Sequence, residues 1–445
     1  MHVGKQFWKA VLPRQELIWM KTESAETVRC KKKRKRGNPM YIVGVDAAKG
    51  KSTVCMIDEH GQVFISPKDI GHTRNDLKSF IDELNKTGRK EDVCVVMEAT
   101  GIYHWPVFNQ MKKEGFKVFV INPLKMKAFA KDVNFRNVKT DKIDAGIIAL
   151  YGAQKYNFLA KVKELSYERD ELLRLARAYS SMQKPKVNLK QQLDVQLETM
   201  MPGIKEVFSD DEKFYDFLLE FHHYDKIERY SEETFMKRFI QWAKKKGYRF
   251  KRSTPAKIYE LSKTNISSIP YDETAVLCLS SIVNSLKAID KGLKDILARM
   301  HKIASLLPEY EVLSAMEGFG YTLVPLIIAE VGDIRRLRSK KSLVCMAGID
   351  VPHYESGKFK AGKRKITKKG NAHLRRHLYL AMDSIMKVKP KTDTAIYDFM
   401  IRKKNEHKLN KQVRVAGMRK FLHIYYARVK EKYKELGLWN IEEFL

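Results

Sequence analysis

Two sets of residues in this chain have the types and spacing for phosphate chemistry. Asp46 and Glu98 each close an apolar run, Tyr41-Ile-Val-Gly-Val-Asp46 and Val93-Cys-Val-Val-Met-Glu98, and Asp141 and Asp144 stand three residues apart in Lys139-Thr-Asp-Lys-Ile-Asp-Ala145. The apolar runs read as buried strands, with each acid at a strand tip. The spacing of the second pair places both carboxylates on one helix face. Four oxygen donors of this kind hold Mg²⁺ (or Mn²⁺) without Cys or His, and an ion so held polarises a phosphate and orients the attacking oxygen. The site makes sense only with a phosphate partner.

The second set surrounds Ser356, in Ala347-Gly-Ile-Asp-Val-Pro-His-Tyr-Glu-Ser-Gly357. Pro352 fixes the approach of the chain, and Gly357 lets the backbone bend close to a phosphate. Lys358, Lys360, Lys363, Arg364, Lys365, Lys368, Lys369, Arg375 and Arg376 follow and suit a nucleic-acid backbone. A serine hydroxyl is a poor nucleophile until something activates it, and no His-Asp pattern stands nearby. His353 reads as structural, and Ser339 and Ser342 read as capping residues at a helix start.

The elements that must position the acids follow from periodicity. Residues 41–45, 53–57 and 63–65 read as antiparallel strands with Asp58-Glu-His-Gly61 as a hairpin turn. A helix runs from a Thr73 cap to Leu84 with Leu77, Phe80, Ile81 and Leu84 on its apolar face. Then come the 93–97 strand, a helix at 105–113, a strand at 118–121, and helices at 123–131 and 140–151. Three antiparallel strands followed by alternating helices and strands is the ribonuclease-H order. The rest of the chain reads as helical: 165–201 lacks Gly and has a single Pro185, and 273–307 carries Leu277, Leu286, Ile289, Leu293, Ile296, Leu297 and Ile303 at helical spacing. Two such helices can pair within one chain or across a dimer as a coiled-coil arm. The aromatic residues of 203–270 read as core. Gly318-Phe-Gly320 between helical segments fits either a helix-hairpin-helix or a plain turn, and 413–430 is a basic amphipathic helix.

Composition sets the partner class. The 445 residues suffice for two or three domains, and 44% of them are hydrophobic, so ordinary cores can form. Lys plus Arg number 85 against 53 Asp plus Glu, a formal charge of +32 spread along the chain, which favours polyanions. The five cysteines lack CxxC spacing, so neither a zinc site nor a disulfide framework is indicated, and a reducing cytoplasm fits. No apolar stretch approaches a membrane span, so no membrane partner is expected. Lys31-Lys-Lys-Arg-Lys-Arg36 reads as a solvated basic arm as readily as a nuclear address, and residues 1–40 as a basic N-terminal extension upstream of the first strand.

Val43-Gly-Val-Asp46-Ala-Ala-Lys49, Met97-Glu98-Ala-Thr-Gly-Ile-Tyr103, Lys139-Thr-Asp-Lys-Ile-Asp-Ala145, Gly348-Ile-Asp-Val-Pro352 with Ser356-Gly357, and Ile366-Thr-Lys-Lys-Gly-Asn371 with Leu374-Arg375 together resemble the DEDD transposases, bridge-RNA-guided recombinases of insertion sequences related to Piv-type DNA invertases. The resemblance covers about residues 41–430. It implies a RuvC-like α/β catalytic domain (41–155), a helical coiled-coil region with an insert (156–307), and a mainly α C-terminal serine transposase domain with a helix-hairpin-helix-like element (308–445). It implies that Asp46, Glu98, Asp141 and Asp144 bind metal and act in catalysis, and that Ser356 forms a transient phosphoserine bond with DNA. Implied partners are donor and target DNA, a structured noncoding guide RNA, and further copies of the chain, in dimers to tetramers that bring the carboxylates of one subunit to the serine of another. A prokaryotic cytoplasmic, nucleoid-associated protein is the corresponding location. The chain departs from the family pattern in residues 1–40 and 203–270.

The nearest rival is a RuvC-like Holliday-junction nuclease that hydrolyses DNA with the carboxylates alone. A noncatalytic binding protein is disfavoured by the presence of all four acids. An actin-like or sugar-kinase ATPase also opens with a strand ending in Gly-x-Asp, but Ala47-Ala-Lys49 lacks the Gly-rich phosphate turn such folds require.

Overall fold

The computed structural model describes residues 41–99, 101–133, 139–159, 166–352, 355–356, 359–360 and 365–439. The extension at 1–40 lies outside them. The chain divides into two compact units with the boundary between Lys163 and Glu164.

The first unit is built on a five-stranded mixed sheet in the order β3-β2-β1-β4-β5. Strands β1 (Tyr41–Ala48), β2 (Lys51–Asp58) and β3 (Val63–Gly71) form an antiparallel meander, while β4 (Val93–Glu98) runs parallel to β1, and β5 (Lys117–Ile121) parallel to β4. This is the order anticipated from the periodicity. Gly50 at φ +78° turns the first hairpin. The Asp58 carboxylate accepts from the His60 and Gln62 amides at 2.9 and 2.7 Å, and so fixes the second turn. Thr73 caps helix α1 (Arg74–Thr87) by accepting from the Asp76 amide.

Alternation along the strands gives each sheet face its own core. Tyr41, Val43 and Val45 point toward α1 and α2 (Trp105–Lys113), packing with Leu77, Phe80, Leu84, Val107 and Met111. Ile42, Cys94 and Val96 point the other way, toward Ile143, Ala145, Ile147 and Ala149 of α4 (Asp141–Leu159), which follows α3 (Pro123–Val133). Burial on both faces is why β1 and β4 read as unbroken apolar runs.

The second unit is mainly helical. Helix α5 (Tyr167–Met200) and, after α6 (Asp211–Phe221), α7 (Tyr224–Glu228), α8 (Glu232–Lys245) and α9 (Thr254–Thr264), helix α10 (Glu273–Ala304) are its two long elements. Leu172 and Ala176 share a core with Met300 and Ile303, whereas Leu193 and Leu197 share one with Leu279 and Val283, so α5 and α10 pack antiparallel within one chain. The aromatic residues of the insert are core: Phe217, Phe221, Phe235, Phe239 and Trp242 pack ring against ring, in stacked, tilted and edge-on contacts, at the far end of this pair.

The other end packs against α11 (Pro308–Ser314), α12 (Leu323–Val331), α13 (Lys340–Ala347), α14 (Ala372–Val388), α15 (Ala395–Asn405) and α16 (Asn410–Glu435). Gly318, at φ +91°, lies against Ile385, where an added Cβ would meet a side-chain carbon at 2.6 Å. The glycine is therefore required for close packing in the turn between α11 and α12. Buried Arg169 donates to Glu309 (2.8 Å) and Tyr433 (2.6 Å), and Tyr433 donates to Glu309 (2.9 Å), which ties the start of α5 to the C-terminal helices.

Candidate active site

The sheet and α4 bring the four acids to one edge of the first unit. Ile42, Gly44 and Asp46 alternate onto the α4 face of β1, as do Cys94, Val96 and Glu98 on β4. The parallel register pairs Gly44 with Val96 and Val45 with Met97, which leaves Asp46 and Glu98 next to each other beyond the last pair. Asp141 and Asp144 occupy the first turn of α4, where the helix dipole favours negative charge. Thr140 holds that end by accepting from the Ile143 amide at its hydroxyl (3.3 Å) and from the Asp144 amide at its carbonyl (2.9 Å).

One placement differs from the sequence expectation. Glu98 does end β4, but Asp46 lies inside β1, paired with Thr53, because the hairpin ladder with β2 continues through Ala48 and Lys51. Pairing with β2 extends a strand that β4 no longer accompanies.

Asp46 is pushed up to about 6, first by burial and then by Asp144, Asp141 and Glu98, with Lys139 opposing. Burial raises Glu98 as well, Asp144 adds to it, and Lys139 again opposes. Asp144 is raised by burial, against Lys139 and with a contribution from Asp141. Asp46 therefore feels the charge of the other three carboxylates, and Lys139 is a cation common to Asp46, Glu98 and Asp144. Its position two residues before Asp141 was the available signal for this role.

Among the described residues no three His, Cys, Asp or Glu side chains converge closely enough to grip an ion by themselves. An open set of this kind suits Mg²⁺, which takes one or two carboxylates and completes its octahedron with water and phosphate oxygens. A closed cage of His and Cys would suit a different metal. The all-oxygen donor set and its mutual repulsion fit a hard divalent cation.

Ser356 lies in the second unit, on a short antiparallel ladder: β6 (Glu355–Ser356) pairs with β7 (Phe359–Lys360), Ser356 opposite Phe359. The base of its loop is firmly tied. The Thr367 amide and hydroxyl donate to the Asp350 carbonyl (3.0 Å) and carboxylate (2.6 Å), and the Lys368 amide donates to the Gly348 carbonyl (3.0 Å). Asn371 donates from its backbone to the Met346 carbonyl (2.7 Å) and from its side chain to buried Glu330 (2.7 Å), while its side-chain oxygen caps α14. An added Cβ at Gly370 would lie 2.2 Å from the Met346 carbonyl, so the two ends of the loop meet backbone to backbone.

Lys365, Lys368, Lys369 and Arg376 are exposed, and Arg375 spends one donor on the Ala347 carbonyl at 2.9 Å. Lys360 belongs to β7, and Lys358, Lys363 and Arg364 lie outside the described residues. Ser339 is an N-cap, accepting from the Ser342 amide, as expected. Among the described residues no helix is long and apolar enough to cross a membrane.

A family profile described as Transposase (DEDD_Tnp_IS110) matches residues 43–202, and a second, Transposase IS116/IS110/IS902 family, matches residues 310–397. The four carboxylates lie within the first match and Ser356 within the second. The chain is similar to the Pilin gene-inverting protein of Moraxella bovis, 24% identical over 342 residues that cover 76% of this chain and 80% of the relative. It is also similar to the Pilin gene-inverting protein of Moraxella lacunata, 23% identical over 346 residues with the same shares covered.

Proposed function

Because the chain belongs to the IS110/IS116/IS902 family of transposases, we propose that it is an RNA-guided DNA recombinase of an insertion sequence, with a RuvC-like first domain and a phosphoserine intermediate at Ser356. The observation that carries this reading is Asp46, a half-buried carboxylate pushed up to about 6 among three others at one sheet edge. Such repulsion is tolerated where a cation and a phosphate offset it. The name of the Moraxella relatives describes inversion of a gene, and cutting and rejoining of strands is what such a rearrangement requires.

Asp46, Glu98 and Asp144, with Asp141 beside them, would line the site for Mg²⁺ (or Mn²⁺), one or two of them ligating an ion at a time; such an ion when bound polarises a phosphate oxygen and stabilises charge on the leaving oxygen. Lys139 offsets the carboxylate charge and draws the DNA backbone toward the edge. At Ser356 the hydroxyl oxygen bonds to phosphorus as the bond to one deoxyribose oxygen breaks; the serine proton is lost and the leaving oxygen gains one. Reversal by a different strand's hydroxyl restores a phosphodiester, so the number of ester bonds is conserved and no nucleotide is consumed. The exposed Lys365, Lys368, Lys369 and Arg376 hold the flanking backbone.

With +32 formal charge, the free protein repels itself, and an RNA partner would offset that charge. Sequence recognition is then delegated to base pairing. A discrete RNA that co-purifies only when the element's flanking DNA is present supports the guide, whereas a heterogeneous mixture in both preparations overturns it.

The second reading is hydrolysis by the carboxylates alone, favoured by their placement in a separate compact unit. Trapping on a nicked suicide DNA, then denaturing electrophoresis and peptide mapping, separates the two. A covalent adduct at Ser356, lost in Ser356→Ala and in Glu98→Ala, supports recombination. Cleavage that persists in Ser356→Ala without any adduct leaves the nuclease.

A further inference from the structure

The turn that follows Glu98 carries apolar surface that the fold does not bury. Gly101, at φ +53°, reverses the chain, and the Trp105 amide closes the turn on the Ile102 carbonyl at 3.3 Å. Ile102 is 72% exposed, Tyr103 39% and Trp105 37%. These are large side chains that cores normally take up, set together at one turn of a strongly basic chain.

The turn is built rather than loose. His104, between the exposed residues, is buried and stacks on Trp105 with ring centres 5.1 Å apart. Phe108 meets the Trp105 ring edge-on at 5.4 Å, and Lys112 sits over the Phe108 ring at 5.5 Å. The Trp105 ring is thus oriented before anything binds, which lowers the entropy cost of stacking on it.

We propose that Ile102, Tyr103 and Trp105 form a nucleobase-stacking wedge for the DNA strand cut at the carboxylate edge. The inference rests on the recombinase reading above. Ile102 lies four residues beyond Glu98, a reach of at most about 14 Å. Stacked nucleotides repeat every ~3.4 Å along a strand, so the wedge meets bases within about four nucleotides of the phosphate at Glu98. A ligand that presents an anionic backbone to Lys139 and apolar ring faces to this turn is a nucleic acid whose bases are unpaired or pried apart. Inserted aliphatic side chains open base steps, and aromatic rings then stack on the freed base. Opening the step at the cut site frees the strand end for exchange.

The test uses the full-length protein and single-stranded and four-way-junction DNA substituted with 5-iododeoxyuridine. Photocrosslinks are expected on Tyr103 or Trp105. Ile102→Ala and Tyr103→Ala, whose exposed sites leave folding intact by thermal denaturation, should each weaken junction binding about tenfold. Mismatched bases at the branch should recover much of that loss, because the cost of unpairing is then already met. Crosslinks that map only elsewhere, with affinity unchanged in both variants, overturn the wedge and leave the recombinase reading standing. A changed oligomeric mass with unchanged DNA affinity also overturns it and assigns the turn to a subunit contact. Wild-type protein that neither crosslinks to nor binds DNA overturns the recombinase reading and the wedge with it.

Discussion

Gly44 and Ala145 meet where no side chain fits: a methyl group at Gly44 would lie 2.1 Å from the Ala145 carbonyl oxygen and 2.4 Å from the Ala149 amide nitrogen. Gly44 is two residues before Asp46 and Ala145 directly follows Asp144. The flush packing of α4 on β1 therefore sets how near the two carboxylates come. Gly152, about two turns beyond Ala145 on the same helix, repeats the device against the Ile42 and Val96 methyls, each 2.7 Å from an added Cβ.

Gly44→Ala must push α4 off the sheet, since the obstacle is backbone and cannot rotate away. Overpacking of this kind costs about 1–3 kcal/mol. We expect a lower melting temperature and a loss of strand cleavage much larger than the stability change alone explains. Cleavage at the wild-type rate in a folded Gly44→Ala protein would separate the helix position from catalysis.

Asp46 links the same geometry to pH. Its folded value is raised to about 6 from an ordinary 3.8, so the folded state holds the proton more tightly than the unfolded chain does. Below pH 4 both states are protonated and Asp46 costs nothing; the cost grows as pH rises and is complete above about 6. Asp46→Asn should therefore melt higher than wild type at pH 7.5 in chelator, with the gap closing toward pH 4. Added Mg²⁺ should raise the wild-type melting temperature by about 2 °C or more and leave an Asp46→Asn/Asp144→Asn double variant unmoved. Equal response of both proteins to Mg²⁺ would remove the metal assignment.

Local signals carried much of the fold. Thr73 and Ser339 declared helix starts through their capping side chains, and the β1 and β4 runs were apolar because both sheet faces are covered. β1 runs two residues past Asp46 although those residues, Ala47 and Ala48, carry little strand signal of their own; the β2 ladder holds them. Ile102, Tyr103 and Trp105 were unreadable as surface, since residue type alone assigns large apolar side chains to a core. The contact of Arg169 with Glu309 spans 140 residues, and no local pattern announces a pairing at that separation.

That contact yields its own prediction. Glu309 is fully buried, and burial raises its carboxyl even with the Arg169 guanidinium against it. Glu309→Leu would leave Arg169 charged, buried and short of a partner, at a cost of about 3–5 kcal/mol. Arg169→Met together with Glu309→Leu removes both charges and should recover most of the loss in chemical denaturation. A double variant no more stable than Glu309→Leu would mean that the shape of the pair, rather than its charge, holds the start of α5.

Thr367 and Asp350 close the base of the loop that carries Ser356, through one backbone and one side-chain hydrogen bond. Thr367→Val keeps the branched shape and deletes only the hydroxyl donor, which leaves the Asp350 carboxylate one bond short. The site is half-buried, so the stability loss should be modest, about 1 kcal/mol. If the loop base orients Ser356, adduct formation on a suicide DNA substrate should fall more than tenfold while DNA affinity, set by the exposed lysines, stays within about twofold. Thr367→Ser restores the hydroxyl and should restore the adduct. Recovery in Thr367→Ser with loss in Thr367→Val identifies the hydrogen bond as the orienting element; equal adduct yield in all three proteins would show that Ser356 takes its orientation from the DNA.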